Sequence, residues 1–141
     1  MIRKYDADDL AELLDVWYDA SQIAHPFLTR EFLDRERRNV VQEYLPIAET
    51  WIFEEEGRVV GFIALIGNEV GGIFVTPRRH GQGIGRALMD HARASRHHLD
   101  VEVFEANKIG RAFYDAYGFE VVKAGLHEET GEPVLRLRLD C

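Results

Sequence analysis

Three glycines, at positions 81, 83 and 85, separate an apolar run at residues 73–75 from a second apolar run that extends from Ile84 to about His97. The first run favours a β-strand, and the spacing of the second favours a helix. A helix that begins directly after such a turn leaves its first N–H groups unpaired and presents the positive end of its dipole. Because glycine carries no Cβ and tolerates positive φ, a phosphate can approach this backbone closely. The turn therefore predicts an anion site whose usual occupant is phosphate.

Two well-known phosphate-binding turns fit these residues poorly. A P-loop requires Lys and then Ser or Thr after its last glycine, and Arg86-Ala87 stands there instead. The dinucleotide fingerprint G-x-G-x-x-G/A meets Arg86 or Leu88 at its last position, depending on the glycine from which it is counted. Glu105 does lie where that fingerprint expects a ribose-binding acid, so a nucleotide-binding domain stays open as an alternative. Such a domain would need strands that alternate with helices from the start of the chain, and hairpin-linked strands precede the turn here.

Composition limits the class of protein. With 141 residues, of which 46% are apolar and 30% charged, the chain is expected to form one globular domain over residues 1–141. A net charge of −8 and a pI near 5.2 argue against nucleic acid or an anionic membrane as partners and favour small cations. The only cysteine is Cys141, which excludes cysteine-based metal sites, and no metal is expected. No apolar run is long enough to span a bilayer and no apolar segment opens the sequence, so we expect a cytoplasmic protein.

The periodicity predicts the order strand, two helices, three hairpin-linked strands, helix, strand, helix, strand, strand. Residues 59–66 are apolar on both faces, which indicates a strand that is buried on both sides. Asp6, Thr29 and Asn107 are expected N-caps, and Gly118 is an expected C-cap. The helices are expected at about 7–23, 30–43, 84–97 and 108–117, and the other strands at about 1–5, 51–53, 70–75, 99–104, 119–122 and 134–139.

The last predicted helix carries an apolar stripe and an aromatic residue off it. The stripe has i, i+3, i+4, i+7 spacing and is expected to pack on the sheet. Tyr114 points roughly 150° away from the centre of this stripe, on the side of Gly110. A large aromatic side chain beside a glycine, off the core face, predicts a groove. The stripe consists of Ile109, Ala112, Phe113 and Ala116.

Two motifs in this order resemble the GNAT superfamily of bacterial N-acetyltransferases. The residues 80–85, His-Gly-Gln-Gly-Ile-Gly, followed by Arg86 and Leu88, resemble the family's cofactor motif of Arg or Gln, two residues, Gly, one residue, then Gly or Ala. Residues 107–119 resemble a second family motif, in which Asn-x-x-Ala or a close variant precedes Phe-Tyr, three residues and Gly-Phe. The resemblance implies an α+β fold in α/β/α layers. It implies a mixed, mostly antiparallel sheet of about six to seven strands with about four helices, and splayed strands that form a cofactor cleft.

In that family, acetyl-CoA lies where the strand before the glycine turn splays from the strand after its helix, here residues 72–75 and 99–104. By resemblance, the backbone N–H groups of Ile73, Phe74 and Val75 hold the pantetheine arm and polarise the thioester carbonyl. Asn107 contacts the cofactor arm, and Tyr114 binds the cofactor and protonates the departing thiolate. His80 departs from the motif, and we expect it to tune affinity rather than abolish binding. The pyrophosphate would be held by Gly81, Gln82, Gly83, Ile84, Gly85 and Arg86.

The resemblance implies direct transfer of acetyl to a primary amine of a small molecule, a protein N-terminus or a lysine. The amine must lose a proton, and Glu102 is our first choice of base, with Glu105 as the fallback; Glu102 fits a solvated strand position equally well. His25 and Phe27 are candidates for the acceptor pocket. Their loop fits equally well an ordinary connection whose apolar residues pack into the core. Glutamates at 128, 129 and 132 favour a cationic acceptor. The alternative is a non-catalytic acyl-CoA binding or sensing module, and a homodimer is left open.

Overall fold

A seven-stranded sheet organises the chain, which a computed structural model describes over residues 1–141. The strands lie in the order β1-β2-β3-β4-β5-β7-β6. Every neighbouring pair is antiparallel except β4 and β5, which run parallel. The strands are β1 (Ile2–Lys4), β2 (Glu49–Glu55), β3 (Arg58–Ile66), β4 (Glu69–Val75), β5 (His98–Phe104), β6 (Glu120–Leu126) and β7 (Pro133–Asp140).

Four α-helices join these strands in the predicted order: α1 (Leu10–Ala24), α2 (Arg30–Asn39), α3 (Ile84–Arg93) and α4 (Lys108–Tyr117). A 3₁₀ turn at Ala7–Asp9 leads into α1, and a π-helical turn at Val40–Tyr44 extends α2. The predicted cap residues lie at helix ends: Asp6 caps the 3₁₀ turn, and Thr29 Oγ1 accepts from the N–H of Phe32 at 3.1 Å. None of the helices is both long enough and apolar enough to cross a membrane.

The two faces of the sheet carry separate apolar clusters, which gives the predicted α/β/α layering. One cluster packs α3 and α4 against the sheet and includes Leu88, Met89 and Tyr114. The other packs α1 and α2 against the opposite face and includes Leu13 and Trp17. Residues 59–65 of β3 are all buried, so the prediction of a strand covered on both sides is confirmed.

The sheet opens in its middle, where β4 and β5 are paired only at Glu69↔Asp100 and Val70↔Val101. Directly after this point β4 contains a bulge, because Val70 pairs with Leu65 and Gly72 with Ala64, which leaves residue 71 unpaired. Beyond the bulge, β4 continues along β3 while β5 continues along β7. The predicted splay between residues 72–75 and 99–104 is therefore present.

Two predicted boundaries are wrong. Helix α3 ends at Arg93 rather than near His97, because the guanidinium of Arg96 donates to the carbonyl of Ala92 at 2.9 Å and of Gly67 at 3.0 Å. Satisfying a carbonyl of the last turn from a side chain allows the chain to leave the helix early. Strand β6 extends to Leu126, four residues past the predicted end at Val122, since a bulge near that residue lets pairing with β7 resume.

Candidate active site

A cleft of about 1340 Å³ opens where β4 and β5 diverge. It brings together residues from β4, the glycine turn, α4, β5 and the inner faces of α1 and α2. Of the predicted site residues, Gln82 and Phe27 do not line it. Those that do are His25, Ile73, Phe74, Val75, Gly81, Gly83, Ile84, Gly85, Arg86, Glu102, Asn107 and Tyr114.

The β4 backbone supplies donors to the cleft at alternate residues. The N–H of Thr76 donates to the carbonyl of Val60 in β3 at 2.8 Å. Because hydrogen-bonded pairs recur at every second residue of an antiparallel ladder, the N–H of Phe74 also faces β3. The N–H groups of Ile73 and Val75 then point away from β3, toward the side on which β5 has diverged. Two of the three predicted backbone donors are thus free for a ligand.

His80 reaches back from the glycine turn to β4. Its Nε2 lies 2.8 Å from the carbonyl oxygen of Val75, and since that oxygen can only accept, Nε2 carries the proton. This carbonyl lies on the same side of β4 as the free N–H groups, which supports their orientation. His80, which replaces the Arg or Gln of the motif, therefore holds the turn against β4. A hydrogen-bonding side chain at position 80 thus has a structural role in addition to any contact with phosphate.

The three glycines of the turn have two different structural roles. Gly81 and Gly83 have φ of +78° and +82°, a region that other residues enter only with strain. A Cβ at either position would meet no protein atom within 4 Å, so space lies open above the turn, next to the N-terminus of α3. Gly85 instead allows close packing, because a Cβ there would lie 3.1 Å from the ring of Phe113 in α4. Open space, free N–H groups and the helix dipole fit an anion.

Charged groups around the turn are unequally available to such an anion. The guanidinium of Arg79 forms an ion pair with Glu55 and lies 3.4 Å from Oε1 of Gln82. Arg86 lies over the ring of Tyr117 at 5.8 Å from its centroid and lines the cleft. Arg86 is therefore the cation that can turn toward a ligand without breaking an ion pair.

The faces of helix α4 agree with the prediction only in part: Phe113 packs against the core cluster and Tyr114 and Gly110 line the cleft as expected, but Tyr114 is also buried. Tyr114 belongs to the main apolar cluster and is 7% exposed, whereas Ile109 is 47% exposed. The ring of Tyr114 packs edge-on against Phe119 at 5.4 Å, and its hydroxyl end borders the cleft. Burial raises the pKa of Tyr114 well above its usual range, so the phenol keeps its proton at any physiological pH. Of the predicted core stripe, Phe113 packs against the cluster and also lines the cleft, whereas Ile109 and Ala116 are exposed and line the cleft.

Asn107 stands at the start of α4 between the cofactor side and the α1–α2 loop. Its Oδ1 accepts from the N–H of Gly110 at 2.9 Å, which confirms it as the N-cap, and its Nδ2 lies 3.2 Å from Nε2 of His25. The imidazole of His25 packs edge-on against Phe27 at 5.7 Å and Phe104 at 5.2 Å. Burial lowers the pKa of His25 to about 4, so the ring is neutral at pH 7. Phe27 thus packs against the ring of His25 and does not itself line the cleft.

A family model described as an acetyltransferase (GNAT) domain matches residues 46–121 of this chain, which include the β3–β4 hairpin, the glycine turn, α3 and α4. This chain belongs to the GNAT acetyltransferase family. The family resemblance inferred from the two motifs is confirmed, and the chain is an N-acetyltransferase.

Relatives of this acetyltransferase match it over almost their whole length. Peptidyl-lysine N-acetyltransferase YiaC of Escherichia coli K12 is 32% identical over 134 residues, 94% of this chain and 92% of that protein. Peptidyl-lysine N-acetyltransferase YjaB of the same strain is 31% identical over 139 residues, 98% and 94% of the two chains.

Solved structures agree with the fold. The solution structure of apo-form YjaB from Escherichia coli has a TM-score of 0.85 at 29% identity and covers 98% of this chain and 95% of that one. The PaiA N-acetyltransferase of Thermoplasma acidophilum, in complex with coenzyme A, has a TM-score of 0.78 at 18% identity, with 96% of each chain covered. The predicted α+β fold class is therefore confirmed.

The remaining half of the acetyltransferase cleft, under α2, is acidic. Glu102 is exposed on β5, lines the cleft and pairs across the ladder with Arg136 of β7. Arg136 is already engaged by Glu69, whose two oxygens accept from its guanidinium at 3.0 and 2.7 Å. Two further carboxylates, Glu36 and Glu43, line the same half. One arginine thus faces four carboxylates. The fallback base, Glu105, does not line the cleft.

Sequence reasoning missed Glu36. Residues 30–38 read as a solvated helix face, but Glu36 follows Phe32 by four residues and precedes Val40 by four, which places it on the inner stripe of α2. Burial raises the pKa of the Glu36 carboxyl, and the neighbouring Arg35 pairs with Glu129 at 3.4 Å instead. A carboxylate within an apolar helical stripe is the signal that could have revealed it.

Tyr44 was also missed. Its hydroxyl lies over the β4 bulge, where a Cβ on residue 71 would stand 1.4 Å from the phenolic oxygen, so only glycine admits this contact. The hydroxyl lies 3.4 Å from the carbonyl of Ala64, and burial raises the pKa of Tyr44 to about 12. Tyr44 thus forms part of the wall between the bulge and α2, and nothing in the local sequence marks it.

Proposed function

We propose that this enzyme transfers the acetyl group of acetyl-CoA directly to the side-chain amine of a peptidyl lysine, and that residues 1–141 form its one catalytic domain. The divergence of β4 and β5 beyond Val70 and Val101 carries the proposal. It frees backbone donors in the same cleft that holds Tyr114 and the glycine turn. The cleft has the glycine turn and Arg86 in one part of its lining and carboxylates in another, which suits an anionic cofactor and a cationic acceptor.

In this proposal the glycine turn binds the pyrophosphate through the backbone N–H groups of residues 81–86, with Arg86 adding charge. Asn107 binds the pantetheine arm. Acetyl-CoA supplies an activated acyl group. The N–H groups of Ile73 and Val75 orient its thioester oxygen and stabilise the negative charge that develops there. The enzyme residues therefore act by orientation and electrostatics, without a covalent intermediate on the protein.

Proton transfers complete the reaction. The new C–N bond forms as the amine nitrogen attacks the thioester carbon, and the C–S bond breaks. Tyr114 donates its phenolic proton to the departing sulfur, a role that its raised pKa suits because the phenol stays protonated. Before the attack, Glu102, directly or through a water molecule, accepts the proton that makes the lysine ammonium a neutral amine and releases it to solvent, since Glu102 lies in the acidic half of the cleft. The second proton, which the nitrogen loses as the amide forms, restores the phenol of Tyr114.

Electrostatics support lysine as the acceptor. Glu36, Glu43, Glu69 and Glu102 line the acceptor half against the single guanidinium of Arg136, and such an excess of negative charge raises the local concentration of a cation. The two curated relatives described above are peptidyl-lysine N-acetyltransferases by name. Neither the charge of the acceptor half nor the names of the relatives depends on how the cofactor binds.

Mass spectrometry of acetylated peptides tests this function. One peptide carries a single lysine and a blocked N-terminus, and its partner carries a free N-terminus and no lysine; both are incubated with isotopically labelled acetyl-CoA and enzyme. We expect label on the lysine peptide at a rate well above that with Tyr114→Phe. Label confined to the free N-terminus would overturn the choice of acceptor. Binding of acetyl-CoA with transfer to neither peptide would favour the non-catalytic module.

A further inference from the structure

The side-chain amide of Asn107 is oriented by the helix that it caps. The N–H of Gly110 donates at 2.9 Å, so the oxygen of the amide must be the atom that faces it. The nitrogen Nδ2 then faces Nε2 of His25 at 3.2 Å. Because an amide nitrogen can only donate, Nε2 of His25 must accept, and the imidazole proton lies on Nδ1. Helix capping thus determines the tautomer of a residue 82 positions away in the sequence.

The surroundings of His25 keep the imidazole in this state. Phe27 and Phe104 pack edge-on against it with ring centroids 5.7 and 5.2 Å away, which fixes the plane of the ring. The charged form of the ring is disfavoured by this apolar burial. The lone pair of Nε2 is therefore available to Asn107 at neutral pH.

One donor of Asn107 remains without a partner. Nδ2 carries two N–H groups, and only the contact to His25 uses one of them. Asn107 is 8% exposed and lines the cleft, so the second N–H has little access to solvent and a ligand in the cleft can supply its acceptor. A buried donor without an acceptor carries a desolvation cost that a ligand carbonyl can relieve.

We propose that His25 is a positioning residue for cofactor binding: by accepting one N–H of Asn107, it directs the other N–H at the amide-bearing arm of acetyl-CoA. This inference rests on the proposed function. His25 directly follows α1 and begins the loop to α2, whose inner stripe borders the acceptor half of the cleft. The contact therefore joins the acceptor side to the cofactor side of the cleft.

Two substitutions separate the hydrogen bond from packing. His25→Phe keeps an aromatic ring between Phe27 and Phe104 but removes the acceptor nitrogen. His25→Gln loses the ring, while its Oε1 can accept at the place of Nε2. Calorimetric titration with coenzyme A should show a Kd about three- to tenfold weaker for His25→Phe, as for one lost hydrogen bond, and within about twofold of wild type for His25→Gln. The reverse order would show that the ring only packs, and would overturn the proposal.

A double-mutant cycle locates the effect at Asn107. Asn107→Ser keeps a capping oxygen for α4 but removes both N–H groups. In that background, His25→Phe should change the Kd for coenzyme A by less than about twofold, because the partner of Nε2 is already gone. Fully additive losses would contradict an action of His25 through Asn107.

The tautomer of His25 gives a readout that needs no ligand and no variant. Nitrogen-15 NMR of the wild-type protein should show the His25 proton on Nδ1 and an unprotonated Nε2, and a proton on Nε2 would overturn the proposal. Failure of the wild type to bind coenzyme A would refute the proposed function itself. Wild-type binding that His25→Phe leaves unchanged would refute only the role of His25.

Discussion

Val70 and Val101 form the last pair of the parallel ladder between β4 and β5, and from the next residue onward the two strands separate. The next residue of β4, at position 71, is the unpaired residue of a bulge, so the strand changes direction at the point where pairing stops. In a continuous ladder the N–H groups of Ile73 and Val75 would donate to carbonyls of β5. Because the strands separate, these two N–H groups have no acceptor in the sheet. In our proposal, these N–H groups, which the sheet leaves unpaired, are the donors to the thioester.

The conformation of the glycine turn gives the first prediction. Gly83 has φ of +82° and Gly57, in the β2–β3 turn outside the cleft, has φ of +76°; a Cβ would meet nothing within 4 Å at either. Alanine at either position should lower the free energy of unfolding by about 1 kcal/mol through the same backbone strain. Gly83→Ala alone should weaken coenzyme A binding, by about tenfold, since its Cβ enters the phosphate site.

Thermal unfolding with and without coenzyme A measures both effects at once. Both variants should show a similar loss of Tm without ligand, while the rise in Tm on adding coenzyme A should shrink only for Gly83→Ala. Equal ligand-induced shifts in the two variants would contradict phosphate binding at the turn.

Tyr114→Phe should separate chemistry from binding. The ring packs in the core against Phe119 and is retained, so the free energy of unfolding should change by less than about 1 kcal/mol. Loss of the proton donor should lower kcat by about 100-fold or more, with the Kd for coenzyme A within about twofold of wild type. Because burial raises the pKa of Tyr114, wild-type kcat should show no decline from this phenol below pH 10. A kcat for Tyr114→Phe close to that of wild type would exclude Tyr114 as the proton donor.

Glu36 should contribute to acceptor selection. Glu36→Gln removes a carboxylate from the inner stripe of α2, and the KM for a lysine peptide should rise by about three- to tenfold with little change in coenzyme A binding. Glu31→Gln makes the same change of charge on an exposed position of the same helix that does not line the cleft. Steady-state kinetics with both variants at two ionic strengths checks this. A similar rise in KM for Glu31→Gln would indicate a general effect of net charge.

Acid should destabilise the protein through His25. Its pKa is about 4 in the folded protein, compared with an ordinary value of 6.5, because burial disfavours the charged ring. Below pH 6.5 the imidazole of the unfolded chain takes up a proton that the folded protein does not bind, which favours unfolding. The free energy of unfolding should therefore be unaffected by His25 above pH 6.5 and should fall by on the order of 3 kcal/mol as the pH falls toward 4. Urea unfolding from pH 7 to pH 4 should therefore show a steeper loss of stability for wild type than for His25→Phe.

The comparison with His25→Phe isolates this one group. Carboxyl groups such as Asp9 and Asp100, whose pKa values are lowered by hydrogen bonds from arginines, titrate in both proteins and cancel in the difference. Parallel curves for the two proteins over this pH range would mean that His25 is not buried as a neutral ring.

Helix limits were predictable where local side chains define both ends. Helix α4 runs from Lys108 to Tyr117 as expected, because Asn107 caps its start and Gly118, with φ of 120°, ends it. The end of α3 was not predictable, since Arg96 ends that helix by also reaching Gly67, which is distant in sequence. Local capping chemistry is present in the sequence, but a contact across the fold becomes visible only with the structure.

The face of α4 shows a more general limit. Ile109 and Ala116 have the spacing of a core stripe, but they are exposed and line the cleft, while Tyr114, off that stripe, belongs to the core cluster and also lines the cleft. A ligand cleft with apolar walls and a protein core select the same side chains, so periodicity alone cannot distinguish them. For the same reason the sequence did not show which residues of the α4 stripe stay exposed, or that Glu36 lies on the inner side of α2.

Calorimetric titration of the wild-type protein with acetyl-CoA, with NAD and ATP as controls, tests the central claim most directly. The account predicts one saturable site for acetyl-CoA on each chain, competition by coenzyme A, and much weaker binding of both controls. Binding of NAD or ATP without binding of acetyl-CoA would contradict the account and would identify the glycine turn as a nucleotide site instead.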